Sequence, residues 1–409
     1  MLKSKLVGLC AVGCVALASP AWAQSAPVMP QSPHTDIVIT ARGLYDGNVV
    51  RGTEDLALQR DLKRRDFRFT PSVDADIYQP LGPGYVSLTG SVGYDFYARN
   101  TRLNRERIDA NLGAGGVFGP CGVETKAGVS RKQSELGDLN TAPGVNGSTK
   151  NTETRFSGGT MVGCGGFVGI KPYVLMDFET ARNSAQQRKG SDYNSVTYGG
   201  GLMYSQPSIG ELRVFATQRD VDFVNRDQFD YFGAPKLRIR SAGGQFSRDI
   251  GARLGAFVMV AYTNLKQQGV GAGKNGFDGL TWQARLTLKA SDRLSLKATA
   301  SQDTIPTLGF NVDYMKRTDY GLQADMDLNS RMSLRVMASH RTRDFKYSPL
   351  ATMINITHDR LNSIGAALKI EPIGPFSLSL DAMYENRNAD LAIYDYDALR
   401  AGITLQMQI

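Results

Sequence analysis

The segment Leu280-Thr281-Trp282-Gln283-Ala284-Arg285-Leu286-Thr287-Leu288-Lys289-Ala290 decides the fold. Every second residue is apolar and its neighbours are polar. A strand sends successive side chains to opposite faces, so this stretch reads as a strand with one oily and one wet face. The pattern spreads in both directions. Leu294, Leu296, Ala298 and Ala300 alternate with Ser295, Lys297, Thr299 and Ser301. Met332, Leu334, Val336 and Ala338 repeat it, as do Phe376, Leu378, Leu380, Ala382 and Tyr384. It runs on to the last residue through Leu399, Ala401, Ile403, Leu405, Met407 and Ile409. Helical spacing is almost absent.

The punctuation between these segments is asymmetric. Short, turn-like connections stand at Pro80–Gly84, Gly119–Gly122, Cys164–Gly166, Pro207–Gly210, Asp249–Ala252, Ser291–Arg293, Asn329–Arg331 and Glu371–Pro375. Between them lie longer polar connections near 134–152, 183–192, 224–235, 267–279, 305–313, 346–357 and 388–395. Short turns on one side and long loops on the other mark a bacterial transmembrane β-barrel, with the short turns facing the periplasm. The segments run about 11–15 residues, enough to cross a bilayer when tilted. Lipid offers no hydrogen-bond partner to a sheet edge, so such a sheet must close. Tyr94, Phe96, Phe178, Tyr204, Tyr262, Trp282, Tyr320 and Tyr384 end the apolar faces, as interfacial girdles do.

The expected fold is all-β: one antiparallel up-and-down transmembrane barrel over 36–409. Its first strand is Asp36–Tyr45, and the count is about 18 strands, with 16 as second choice, since bacterial barrels normally have an even number. Pro71 and Pro172 fall inside expected strands, where each removes a ladder bond.

Residues 1–23 read as a cleaved signal peptide. Lys3 and Lys5 precede a short apolar core, Pro20 breaks it, and Ala21-Trp22-Ala23 is a small-x-small cleavage site. Ala11-Val12-Gly13-Cys14 is a poor lipoprotein site. Residues 24–35 are Pro-, Ser- and Gln-rich and read as a flexible periplasmic lead. Cleavage removes Cys10 and Cys14, which leaves Cys121 and Cys164 at neighbouring periplasmic turns. They read either as a disulfide or as two unpaired small residues.

Composition excludes other classes. The 409 residues carry a net charge of +8, 44 Gly, 4 Cys and 3 His. After the signal no run approaches the roughly 18 apolar residues of a membrane helix. The Gly is not periodic, and three His leave little for a metal centre, so no cofactor or metal is expected. No Walker loop, GxSxG elbow, HExxH or CxxC pair is present. Basicity without a compact basic motif gives no reason to expect nucleic acid. His340 and His358 flank a long loop with serines nearby, the arrangement of a rim lipid-modifying enzyme. A rim histidine is more commonly an interfacial polar residue, so no enzyme is expected.

The expected substrate pathway is the wet face. Its basic residues outnumber its acids, and Lys236, Arg238, Arg240, Arg285, Lys297, Arg335 and Arg341 are its candidate basic lining. Basic rings favour anions in pores. The alternative is that charges of both signs pair across the lumen and keep it wet.

Three resemblances add to this. Arg400, Gly402, Leu405 and Met407 resemble the terminal signal read by the barrel assembly machinery, with Ile409 where an aromatic is preferred. Asp36–Gly43 resembles the energy-coupling box of TonB-dependent receptors, but the chain is too short for their plug and 22-stranded barrel together. Gly43–Asn48, Phe69–Val73, Gly93–Ala98 and Asn104–Asn111, in that order, resemble the β-barrel porin 2 family. That resemblance implies an outer-membrane conduit for exopolysaccharide export, working with periplasmic export and co-polymerase proteins on an anionic polysaccharide. A diffusion porin for small anions or other solutes is the alternative.

Overall fold

The computed structural model describes residues 32–134, 136, 150–166, 168–228, 234–269, 276–305, 312–347, 356–371 and 374–409. The expected signal peptide and the lead up to residue 31 lie outside the described residues.

Alternation becomes eighteen strands: β1 His34–Asp46, β2 Asp66–Leu81, β3 Gly84–Tyr97, β4 Arg105–Phe118, β5 Cys121–Gln133, β6 Thr152–Cys164, β7 Gly169–Asn183, β8 Tyr193–Gln206, β9 Gly210–Phe223, β10 Lys236–Ile250, β11 Leu254–Gln268, β12 Phe277–Lys289, β13 Leu294–Ile305, β14 Val312–Asn329, β15 Met332–Tyr347, β16 His358–Ile370, β17 Phe376–Ala389 and β18 Tyr396–Gln408. Each pairs antiparallel with its neighbours in the chain. β18 returns to β1, from Val38↔Gln408 to Asp46↔Arg400. The ring is therefore closed, and no row of backbone N–H and C=O groups is left at an edge.

The turns at Gly82 and Gly119 need a left-handed residue, φ 58° and 61°. Glycine takes that conformation without a Cβ clash. The β2–β3 ladder lapses at Thr70 and Pro71 and resumes in the same register at Ser72↔Gly93. Pro71 has no N–H to give, and the strand tolerates the gap because its other neighbour, β1, still pairs across Ala41↔Pro71. Pro172 is likewise held in β7, opposite Leu202.

Residues directly opposite in an antiparallel pair share a face, so the registers carry each face around the ring. The outer face holds Leu212, Val214, Val258, Val260, Leu280, Leu286, Leu322, Ile364, Leu380, Ile403 and Leu405, all exposed. The inner face is polar along most of its length. Buried apolar residues gather in three clusters, two at the long-loop end and a small one of Met161, Tyr173 and Met203 toward the short-turn end.

Candidate functional site: the lumen and its outer mouth

The first long loop does not stay outside. β1 ends at Asp46, where Arg51 turns back to bond its carboxylate at 2.6 Å. Thr53 then caps a short helix, α1 (Glu54–Gln59), its side chain accepting from the Leu56 N–H, with Glu54 and Asp55 in the first turn. Both features favour a helix start. Six residues are far fewer than the roughly 12–15 a helix needs to stand alone. Burial supplies the rest. Val49, Val50, Leu56, Ala57 and Leu62 pack with Leu136, Met315, Phe345, Ile356 and Tyr394. Met315 and Phe345 sit on the inward faces of β14 and β15, while Leu136 follows β5. In the closed ring β5 and β14 are half a circumference apart. The loop 46–66 therefore lies inside the mouth, between opposite walls.

Arginines surround it. Arg60 donates to the carbonyls of Val50 at 2.6 Å and Leu136 at 3.1 Å. Arg188 is fully buried nearby. Burial, with repulsion from Arg188 and Arg387, pushes the Arg60 guanidinium down to about 10, and burial does the same to Arg188. Both stay charged at neutral pH. Arg226 stacks on Phe223 and donates to the Ala234 carbonyl at 3.0 Å. Arg343 and Arg387 both hold Asp359 at 2.6 Å.

Below the mouth the wall is lined by paired charges. Arg42 meets Asp381 at 2.9 Å, Arg400 meets Glu385 at 2.9 Å, Arg335 meets Asp325 at 2.6 Å and Arg341 meets Asp319 at 2.5 Å. Arg155 and Arg219 share Glu179. A cavity of about 370 Å³ opens along this wall beside Lys126, Asp177, Glu179, Arg213 and Arg219.

A closed ring with a polar inside and an apolar outside has one stable setting, with lipid around it. The protein is an outer-membrane β-barrel. Among the described residues no helix is long and apolar enough to cross a membrane; the strands make the crossing. No protein-family model matches the chain, and no curated protein matches it in sequence. Its resemblance to the β-barrel porin 2 family is thus not carried by a family model. Among solved structures it is similar to Pseudomonas aeruginosa OccK2 (OpdF), at 12% identity, covering 92% of this chain and 98% of that one, TM-score 0.46. It is similar to a BenF-like porin from Pseudomonas fluorescens Pf-5, at 11% identity, covering 92% and 99%, TM-score 0.47. Acinetobacter baumannii OccAB3 stands at 11% identity, 92% and 99%, TM-score 0.46. At these scores the likenesses add no weight. The strand pairing carries the fold.

The expected lining divides. Arg285, Lys297, Arg335 and Arg341 face the lumen. Arg335 and Arg341 are ion-paired, Arg285 lies over the Phe257 ring at 5.3 Å, and Lys297 sits opposite Thr287 and Gln323. Lys236, Arg238 and Arg240 do not line the lumen. They lie opposite Asp222, Asp220 and Gln218, on the face that continues down to Val214 and Leu212. Their neighbours Leu237 and Ile239 point inward, only 1% and 9% exposed. The rule that apolar means lipid fails here because the wall has risen above the bilayer. At that height the loops make the inside apolar and water covers the outside.

Nor do bases dominate the wall. Asp46, Asp319, Asp359 and Glu153 also face inward and are paired with arginines. The sequence reading missed the whole loop 46–66. Its signal was present in Thr53-Glu54-Asp55 ahead of Leu56-Ala57-Leu58.

Cys121 and Cys164 are register partners at the short-turn end of β5 and β6 and are joined by a disulfide. Gly402 faces inward, between Leu44 and Asp381. Leu405 and Met407 share the outer face, and Ile409 is exposed at the chain end. Asp36–Gly43 belongs to β1 and is paired along its length with β2. His340 stacks on Tyr320 and bonds Asn362 on the outer face. His358 bonds Asp344. Ser339 and Ser363 bond each other on the inner face, so neither serves His340.

Proposed function

We propose that the barrel is a diffusion porin for small polar solutes with a preference for anions, in place of the exopolysaccharide conduit suggested by family resemblance. The observation that carries this reading is loop 46–66, packed between Leu136 and the inner faces of β14 and β15. A loop in that position narrows the mouth. A polysaccharide chain would have to push it aside. The paired wall charges keep the lumen wet without strong net bias, which favours passage over tight binding. The bias comes from the mouth, where Arg188 and Arg387 lie close enough to Arg60 to repel it. Such a cluster favours negative ions.

The test is conductance of the purified barrel in planar bilayers under a salt gradient, with liposome swelling in small sugars and sugar acids. Small open channels, anion-leaning reversal potentials and faster swelling in the sugar acid support the reading. A large, non-selective conductance that passes polysaccharide fragments overturns it.

A further inference from the structure

The outward placement of Lys236, Arg238 and Arg240 has a use. On the outer face of β11 the sequence climbs from Val258 and Val260 through Tyr262 to Asn264, Lys266 and Gln268. Tyr262 and Val260 are 54% and 43% exposed, as an acyl-covered wall requires. Above Tyr262 the face turns polar across three strands. The rows are Gln218, Arg240 and Asn264, then Asp220, Arg238 and Lys266, then Asp222, Lys236 and Gln268.

The acids of these rows are already engaged. Asp220 holds Arg238 at 2.7 Å, and Asp222 lies 3.8 Å from Lys236. Among the described residues Arg240 bonds the amide oxygen of Gln218, at 2.9 Å, and makes no ion pair, and neither does Lys266. Between them is a hollow of about 230 Å³ lined by Arg238, Arg240, Asn264, Lys266 and Gln268. Its chemistry is two cationic groups without a carboxylate and two amides.

We propose that this hollow is a headgroup site for a phosphate-bearing lipid of the outer leaflet. The Arg240 fork and the Lys266 ammonium take the phosphate oxygens. Asn264 and Gln268 meet the hydroxyl groups beside it. The site is continuous with the apolar wall below Tyr262, so a lipid fills both at once. A free phosphate would gain only the upper half. The inference rests on the barrel spanning a bilayer and not on what crosses its lumen.

The test is native mass spectrometry of the full barrel in detergent, titrated with diphosphoryl lipid A and with its dephosphorylated form. The wild type is expected to retain the phosphorylated lipid. Arg240→Ala with Lys266→Ala should retain it at least about tenfold more weakly, the size expected for two basic groups lost from an anionic headgroup. Arg240→Gln with Lys266→Gln gives the same comparison with closer packing. Conductance, which these outward residues do not touch, checks that each variant is folded. Equal retention by wild type and both variants overturns the proposal. So does equal binding of the dephosphorylated lipid, or full displacement by inorganic phosphate, which would make it a free-ion site.

Discussion

Arg60 donates to the carbonyl of Leu136 at 3.1 Å, across 76 positions of sequence and from the loop in the mouth to the stretch that follows β5. This contact ties a short helix to the far wall. Arg60→Ala should leave two buried carbonyls without this donor, at about 1–3 kcal/mol each. That cost falls on the loop and not on the strand ladder. The expected result is a barrel that still folds, with larger and noisier single-channel conductance and weaker anion preference. Arg60→Lys, which keeps the charge on a shorter side chain that reaches the two carbonyls less well, should preserve the preference and still raise the noise. Conductance unchanged in both variants would remove the loop from the pathway.

The Cys121–Cys164 bridge closes a stretch of 43 positions. Chain-entropy arguments give such a loop about 4 kcal/mol. The strands it joins are already register partners, at the end away from the mouth. Cys121→Ser with Cys164→Ser should therefore lower the urea midpoint of folding and leave conductance and selectivity unchanged. Altered selectivity in the double variant would mean that this rim also shapes the passage.

The strands were legible because each obeys one rule along its lipid-facing stretch: period two, with the apolar set facing lipid. Leu280–Ala290 shows it, and β12 forms where that alternation lies. The strand count followed from Asp36–Tyr45, since a descending first segment needs a rising one before it. The site was legible only in part. Arg335 and Arg341 sit in the stretch where the rule holds, and both face inward. Lys236, Arg238 and Arg240 sit above it, where Leu237 and Ile239 meet the loops instead of lipid, and parity inverts. The loop 46–66 was missed for a different reason. Its helix is too short to be recognised by periodicity, and its stability comes from walls far away in sequence.

That inversion of faces can be tested directly. Val260→Arg places a charge in the lipid belt, where it should cost about 2–4 kcal/mol of folding stability in bilayers. Lys236→Leu lies on the same outer face but above the bilayer, so it should change stability by no more than about 0.5 kcal/mol. Urea titration of intrinsic fluorescence in lipid vesicles reads both. Similar, large losses for the two would place Lys236 inside the membrane and restore it to the transmembrane wall.

Gly402 faces Asp381 across the β17–β18 pair, and a Cβ there would lie 2.6 Å from one carboxylate oxygen and 2.8 Å from the other. The obstacle is a short side chain that can rotate, so Gly402→Ala is expected to fold. Its consequence is electrostatic. Asp381 is the partner of Arg42, at 2.9 Å, and turning it away leaves a guanidinium uncompensated on the lumen wall. The channel should then lean further toward anions. Asp381→Asn should shift selectivity the same way by a different route, and combining the two should add little, since both act through Arg42. Reversal potentials under a salt gradient separate the outcomes. A shift with Asp381→Asn but none with Gly402→Ala would mean that the carboxylate keeps its hold on Arg42, and that the glycine serves the assembly of the last strand instead.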